Sequence, residues 1–181
     1  AVGQILLANG YKEVFGACQL TVAQLLLTLG DTEQRRQYLN ARNTMETLLH
    51  LDAIPLINEN DTVTTEEIRF GDNDRLAARV AEMANSDLLI LLSDIDGLYT
   101  KDPRLGSDAT HISVVEEITQ AIESMAGPSQ SDIGSGGMST KIQAAKIATA
   151  AGCNVIIASG SSGRILSELD TDVRHTWFSA K

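Results

Sequence analysis

Hydrophobic positions along the 181 residues follow two rhythms. Short apolar runs at 21–27, 54–57, 87–92 and 155–158 predict strands. The run Leu88-Leu89-Ile90-Leu91-Leu92 does not alternate, the pattern of a strand covered on both faces. Between these runs the spacing turns helical. Residues 31–49 carry the helix formers Glu33, Gln34, Arg35 and Arg36, then Met45, Leu48 and Leu49 at core spacing. Leu76, Ala77, Val80, Met83 and Ala84 stand at i, i+1, i+4, i+7 and i+8, one face of a helix. A further helix is predicted over 139–151, where Ile142, Ala145 and Ala148 recur every three residues and Gly152 supplies a C-terminal cap. Ile5, Leu6 and Leu7 read as part of a packed element. Strand, helix and strand in this order form right-handed crossover units, so the fold class is α/β with a mainly parallel sheet. The Gly/Ser-rich stretch 127–137 reads as a loop within one domain.

Composition narrows the partners. Lys and Arg number 14 against 24 Asp and Glu, a net charge of −10. An acidic surface without a basic block disfavours nucleic acid and anionic membranes, which are held by clustered Lys and Arg. No apolar run approaches the roughly 18 residues of a membrane span. Cys18 and Cys153 form no C-x-x-C pair, and reduced, partly buried thiols are expected. The opening Ala1-Val2-Gly3-Gln4 lacks the basic-then-apolar pattern of a signal peptide, which makes a cytoplasmic setting the expectation.

Open parallel sheets bind ligands beyond the carboxyl ends of their strands, and the polar clusters sit there. Residues 54–57 run into Asn58-Glu59-Asn60-Asp61, 88–92 into Ser93-Asp94, and 155–158 into Ser159-Gly160-Ser161-Ser162-Gly163. The strongest local signal is Gly134-Ser135-Gly136-Gly137-Met138-Ser139-Thr140-Lys141, leading into a helix. Glycines bring backbone N–H groups close to an anion, and the helix start adds donors and partial positive charge. Lys141 opposes the helix dipole, a cost that a bound polyphosphate relieves; the alternative is a flexible loop with a solvated lysine. The P-loop spacing is absent, and Ser139 stands where G-x-G-x-x-G needs its third glycine. Gly71-Asp72-Asn73-Asp74 opens the helix around Leu76. Capping explains one such residue, and three in a row leave room for ligand contacts. The stretch from Ser93 to Arg104 contains the turn Asp96-Gly97 but fails the calcium-loop pattern. His50, His111 and His175 are isolated and read as structural or solvated. Trp177 and Phe178 read as packing residues.

Taken together, four stretches carry a resemblance: Leu39-Asn40-Ala41-Arg42-Asn43-Thr44, 55–61 ending in Asn58-Glu59-Asn60-Asp61, Gly71-Asp72-Asn73-Asp74, and Gly136-Gly137-Met138-Ser139-Thr140-Lys141. With Asp94 to Arg104, the chain resembles the amino acid kinase family over essentially all its length. The Asn-Glu-Asn-Asp and Gly-Asp-Asn-Asp pair points within it to the members that phosphorylate glutamate. The resemblance implies a three-layer αβα sandwich and ATP-dependent phosphorylation of the side-chain carboxylate of L-glutamate, the first step of proline biosynthesis. Other acceptors within the family are acetylglutamate, aspartate and nucleotide monophosphates, and a nucleotide-binding fragment without turnover is the alternative from another class. The carried-over roles put Lys141 on the transferring phosphate and make Asp74 the organiser of catalytic lysines. Asn58, Asp61 and Asn73 hold glutamate, with Asp72 close by. Ser93 and Asp94 join Ser135, Gly136, Gly137, Met138, Ser139, Thr140 and Lys141 around the nucleotide. The family uses Mg²⁺ with ATP, and no protein ligand for the metal is assigned. Homo-oligomers, and proline acting through residues 62–70, are further implications. The family's opening strand, glycine turn and second lysine have no counterpart here, so the resemblance implies a catalytic domain lacking its N-terminal segment, without a following PUA domain. A γ-carboxylate with an ordinary pKa of about 4.3 is already ionised, so a site without His or Cys suits this chemistry.

Overall fold

A computed structural model describes residues 2–60, 73–105, 108–127, 137–161, 163–169, 171 and 173–181. They form two compact units, Ala1–Leu76 and Ala77–Lys181. The first runs α1 (Val2–Ala17), β1 (Thr21–Leu27), α2 (Leu29–Glu33), α3 (Arg35–His50) and β2 (Ala53–Glu59). β1 and β2 pair in parallel from Thr21 opposite Ala53 to Leu27 opposite Glu59. A parallel pair needs a crossover, which α2 and α3 supply.

Two expectations change in this unit. The helix predicted over 31–49 is divided. Asp31 Oδ2 accepts hydrogen bonds from the backbone N–H of Thr28 at 2.6 Å and from its hydroxyl at 2.7 Å. This reciprocal cap starts α2 early, and Gln34, extended at φ −85 and ψ 115, ends it before α3 begins. Second, Ile5, Leu6 and Leu7 are helical but not packed: Ile5 is 63% and Leu6 67% exposed, and α1 buries none of its residues. Their apolar side chains follow α1 without a described element laid over them. Met45 and Ala41 of α3, by contrast, are buried.

The second unit takes in most of α4 (Asn73–Met83), the boundary falling after Leu76. It continues with β3 (Leu88–Ser93), β4 (Leu98–Tyr99), β5 (His111–Ile112), β6 (Val114–Val115), α5 (Gln120–Met125), α6 (Met138–Ala150), β7 (Asn154–Ser159), α7 (Ile165–Glu168) and β8 (His175–Phe178). The strand order is β3-β7-β8-β6, while β4 and β5 make a separate hairpin. β3 runs parallel to β7 and β6 to β8, with β7 and β8 antiparallel.

β7 is the core strand: Val155, Ile156, Ile157 and Ala158 are all buried. Alternation sends them to opposite faces. Val155 and Ile157 pack with Ala78 and Ala81 of α4, Ile142, Ala144, Ala145 and Ala148 of α6, Leu91 and Phe178. Ile156 and Ala158 pack with Ile165 of α7, Ile90 and Trp177. Helices on both faces of the sheet make this a three-layer αβα arrangement. β3 departs from expectation, because it lies at the edge of this sheet: Leu91 is buried, but Leu88 and Leu92 are 39% and 50% exposed. Of the two thiols, Cys153 is buried and Cys18 is exposed.

Four helices turn into their following strands through a residue at positive φ: Gln19 after α1, Asp52 after α3, Asn85 after α4 and Gly152 after α6. At three of these exits the next N–H reaches back five residues, Leu20 to Phe15, Ser86 to Ala81 and Cys153 to Ala148, each at 3.0 Å. This is the left-handed cap that satisfies the last carbonyls of a helix. Only Gly152 was legible as such.

Candidate functional site

The start of α6 has the composition of an anion site. Gly137 is an extended N-cap without a side chain, and the first turn contains no acidic residue. Thr140 Oγ1 donates to the Gly137 carbonyl at 2.7 Å, and the Lys141 N–H donates to the same oxygen at 3.3 Å. Met138, Ser139 and Thr140 are half-buried, whereas Lys141 is only 6% exposed. Lysine is rarely taken this far from water.

Topology decides where this helix start lies. Three residues separate α6 from β7, so the chain reverses directly, and Cys153 bonds back to Ala148. Thirteen helical residues and six extended ones both span about 20 Å. The N-terminus of α6 therefore stands at the carboxyl end of β7. β3 lies alongside in parallel register, with Ser93 opposite Ser159. The Gly160 N–H donates to the Ser93 carbonyl at 2.8 Å. Ser93, Asp94 and the Gly137 to Lys141 turn thus share one edge of the second unit.

Beyond Ser93, the chain enters a loop with a rigid root. Gly97 has φ +147, and a Cβ there would lie 2.5 Å from Thr176 Oγ1 and 2.6 Å from His111 Nε2. Thr176 is fully buried. Its Oγ1 accepts from the Leu98 N–H at 2.7 Å and donates to the Ile112 carbonyl at 2.6 Å, which ties β8 to the β4–β5 hairpin. Tyr99 donates to Asp96 Oδ1 at 2.7 Å and accepts from Arg174 Nη1 at 3.3 Å. The rings of Tyr99 and His111 meet edge to face, centroids 5.2 Å apart. Sequence reasoning missed Thr176, Arg174 and the placement of His111, because each acts across a long stretch of chain that no local spacing reveals.

His111 Nε2 is buried without a hydrogen-bond partner in the structure as described. Burial pushes the imidazole pKa down; Asp96 opposes this, while Arg174 and His175 reinforce it. Below the ordinary imidazole pKa of about 6.5, the unfolded chain takes up a proton that the folded unit resists. Stability contributed here is present above that pH and is lost as pH falls below it. Melts of wild type and His111→Gln between pH 7.5 and 5 should show a shallower acid loss in the variant. Equal slopes would discount His111.

In the first unit, Asn58 lies near the carboxyl end of β2, its Oδ1 accepting from the Glu59 N–H at 2.9 Å. Asn60 N–H donates to the Leu27 carbonyl at 2.8 Å and so extends the ladder. Asn73 and Asp74 open α4, where the negative charge of Asp74 suits the helix dipole. Asp61, Asp72, Ser135 and Gly136, with residues 62–70, lie outside the described residues. Among the described residues no group of three His, Cys, Asp or Glu gathers as a cation site.

The fold defines an αβα sandwich of the class that receives ligands at the carboxyl edge of its strands. The chain belongs to the amino acid kinase family, whose model matches residues 1–159. It is 58% identical over 178 residues to the glutamate 5-kinase of Rhizobium johnstonii, covering 98% of this chain and 46% of that protein. The glutamate 5-kinase of Agrobacterium fabrum is 57% identical over the same length and coverage. The chain thus spans about half the length of the curated relatives it matches. Among solved structures, the UMP kinase of Ureaplasma parvum superposes with a TM-score of 0.65 at 11% identity, covering 97% of this chain and 67% of that one. An isopentenyl phosphate kinase gives 0.64 at 16% identity, over 96% and 65%. At such identities the structural matches speak for the fold alone. No described helix is long and apolar enough to cross a membrane.

Proposed function

We propose that this chain carries nucleotide- and glutamate-handling parts of a glutamate 5-kinase, which transfers the γ-phosphoryl group of ATP to the side-chain carboxylate of L-glutamate, giving glutamyl 5-phosphate in the first step of proline biosynthesis. The observation that carries this reading is the 58% identity across 98% of the chain. The glycine-capped helix start beside the Ser93-Asp94 turn supports it.

In this reading the carboxylate is already the nucleophile, and the protein's work is to position two anions and offset their charge. Gly137 and the first N–H groups of α6 receive phosphate oxygens, together with Ser135, Gly136, Met138, Ser139 and Thr140. Lys141 stabilises the charge on the transferring group. Ser93 and Asp94 meet the nucleoside portion. Asn58, Asp61, Asp72 and Asn73 hold glutamate, and Asp74 orients catalytic lysine. Mg²⁺, carried on the nucleotide, supplies further charge neutralisation. A cytoplasmic setting, a homo-oligomer and inhibition by proline at the glutamate site through residues 62–70 belong to the same proposal.

The test is ADP release by the purified chain with L-glutamate, acetylglutamate, aspartate or UMP as acceptor, with the acyl phosphate trapped by hydroxylamine. Glutamate-dependent turnover with trapped product is expected. Turnover with another acceptor and none with glutamate would overturn the substrate. Calorimetric ATP binding without turnover on any acceptor would favour a nucleotide-binding portion that needs the relatives' remaining length.

A further inference from the structure

In the first unit one peptide has both of its polar ends committed, and the two commitments lie on different elements. The Leu27 carbonyl, at the end of β1, accepts from the Asn60 N–H at 2.8 Å. The Thr28 N–H belongs to the same peptide, whose atoms move as one plane. It donates to Asp31 Oδ2 at 2.6 Å, and that oxygen also accepts from Thr28 Oγ1 at 2.7 Å. The Asp31 N–H closes the turn, donating to the Thr28 carbonyl at 3.0 Å. A carboxylate, one peptide and the Asn60 N–H thus stand in a single hydrogen-bonded line.

This is more than a helix start requires. α2 has five residues, too short for its own stability to be what the carboxylate serves. The effect of Asp31 falls on the peptide instead. An ionised acceptor makes a short, strong bond to an N–H, and the polarisation it causes makes the carbonyl at the other end of the peptide a better acceptor. Thr28 and Asp31 are half-buried, where such bonds are screened less than in open water. The Leu27 side chain is 4% exposed, which keeps the plane from turning.

The line holds the turn after β2. Asn58 lies opposite Leu26 and Glu59 opposite Leu27, so the Asn60 N–H carries the ladder one residue past the paired strands. Asn58, whose Oδ1 accepts from the Glu59 N–H, is held between these rungs. We propose that Asp31 is a positioning residue for glutamate: through the Leu27–Thr28 peptide it sets the strength of the Asn60 bond and so the placing of Asn58. This inference rests on the reading of Asn58 as a glutamate contact. Asp31 acts through the backbone and needs no contact with the substrate.

The test titrates L-glutamate, and separately ATP, into the whole isotope-labelled chain and follows its amide resonances. Asp31→Ala should weaken glutamate binding about tenfold, the scale of one hydrogen bond to a charged group. ATP affinity should change less than about twofold, since that ligand is read at α6. Exchange of the Asn60 amide should quicken about tenfold while amides in the middle of β2 keep their rates. Asp31→Asn keeps an oxygen for both Thr28 donors but loses the charge. It should weaken glutamate about two- to threefold, and it carries the test if the alanine variant does not fold. Glutamate affinity unchanged in the folded variants, or glutamate and ATP affinities lost alike, would overturn the proposal and leave the glutamate reading standing. A wild-type chain that binds ATP but not glutamate would overturn that reading, and this inference with it.

Discussion

Gly97→Ala should destabilise the fold by about 3 kcal/mol or more, lowering the melting temperature of the 181-residue chain by roughly 6–12 °C. Two effects act together. The backbone at φ +147 is one that L side chains rarely adopt, and the new methyl group meets Thr176 Oγ1 at 2.5 Å. Thr176 cannot retreat: it is fully buried, and its hydroxyl is bonded on both sides, to Leu98 and Ile112. His111 Nε2, at 2.6 Å, closes another direction. Trp177, the chain's single tryptophan, adjoins Thr176 in β8, and its fluorescence reports the transition directly. Gly160→Ala is the comparison. Its Cβ would approach Leu92 Cβ at 3.3 Å, and its φ is not in the forbidden range. That variant should lose less than about 1.5 kcal/mol. Equal melting of Gly97→Ala and wild type would mean that the loop root is softer than its hydrogen bonds imply.

The second large effect concerns chemistry. In a preparation with glutamate-dependent turnover, Lys141→Ala should lower kcat by about 10²–10³-fold while moving the KM for glutamate by less than about threefold. The reason is that a charge aimed at the transferring phosphoryl group acts in the transition state more than in the ground state. Lys141 is 6% exposed, and Ile142, Ala144 and Ala145 beside it are core residues, so truncation also leaves space in the helix packing. Lys141→Met keeps the apolar stem and removes only the ammonium. Both variants should lose turnover alike if charge is the cause. Turnover retained in Lys141→Met would assign the residue to packing.

The sequence disclosed elements whose apolar pattern is long enough to repeat. The run at 155–158 lies in a strand buried on both faces, and Ile142, Ala145 and Ala148 are three of the residues that α6 turns inward. The strand at 21–27 matches β1 residue for residue. What escaped was short or distant. β4, β5 and β6 have two residues each, too few for a period. The left-handed exits at Gln19, Asp52 and Asn85 lack the glycine that marks such a turn. The division at Gln34 depends on a cap made by Thr28 and Asp31, whose spacing fits a continuous helix equally well. Leu88 and Leu92 misled because an apolar side chain on an edge strand reads the same as one in the centre. For the candidate site, glycine turns and strand ends were legible as local text. The couplings around Thr176 and Arg174 were not, since they exist only once residues far apart in the chain have met.

Thr176 also imposes an order in time. β8 lies between β7 and β6, although it follows both in the chain. Until residues 175–178 have been synthesised, β6 has no strand beside it in this sheet, and the Leu98 N–H lacks its acceptor. The root of the loop after β3 can thus be drafted early but is locked only when β8 arrives. A chain that pairs β3 with β7 before β8 arrives has an open edge on β7, the stage at which non-local sheets are most exposed to wrong pairing.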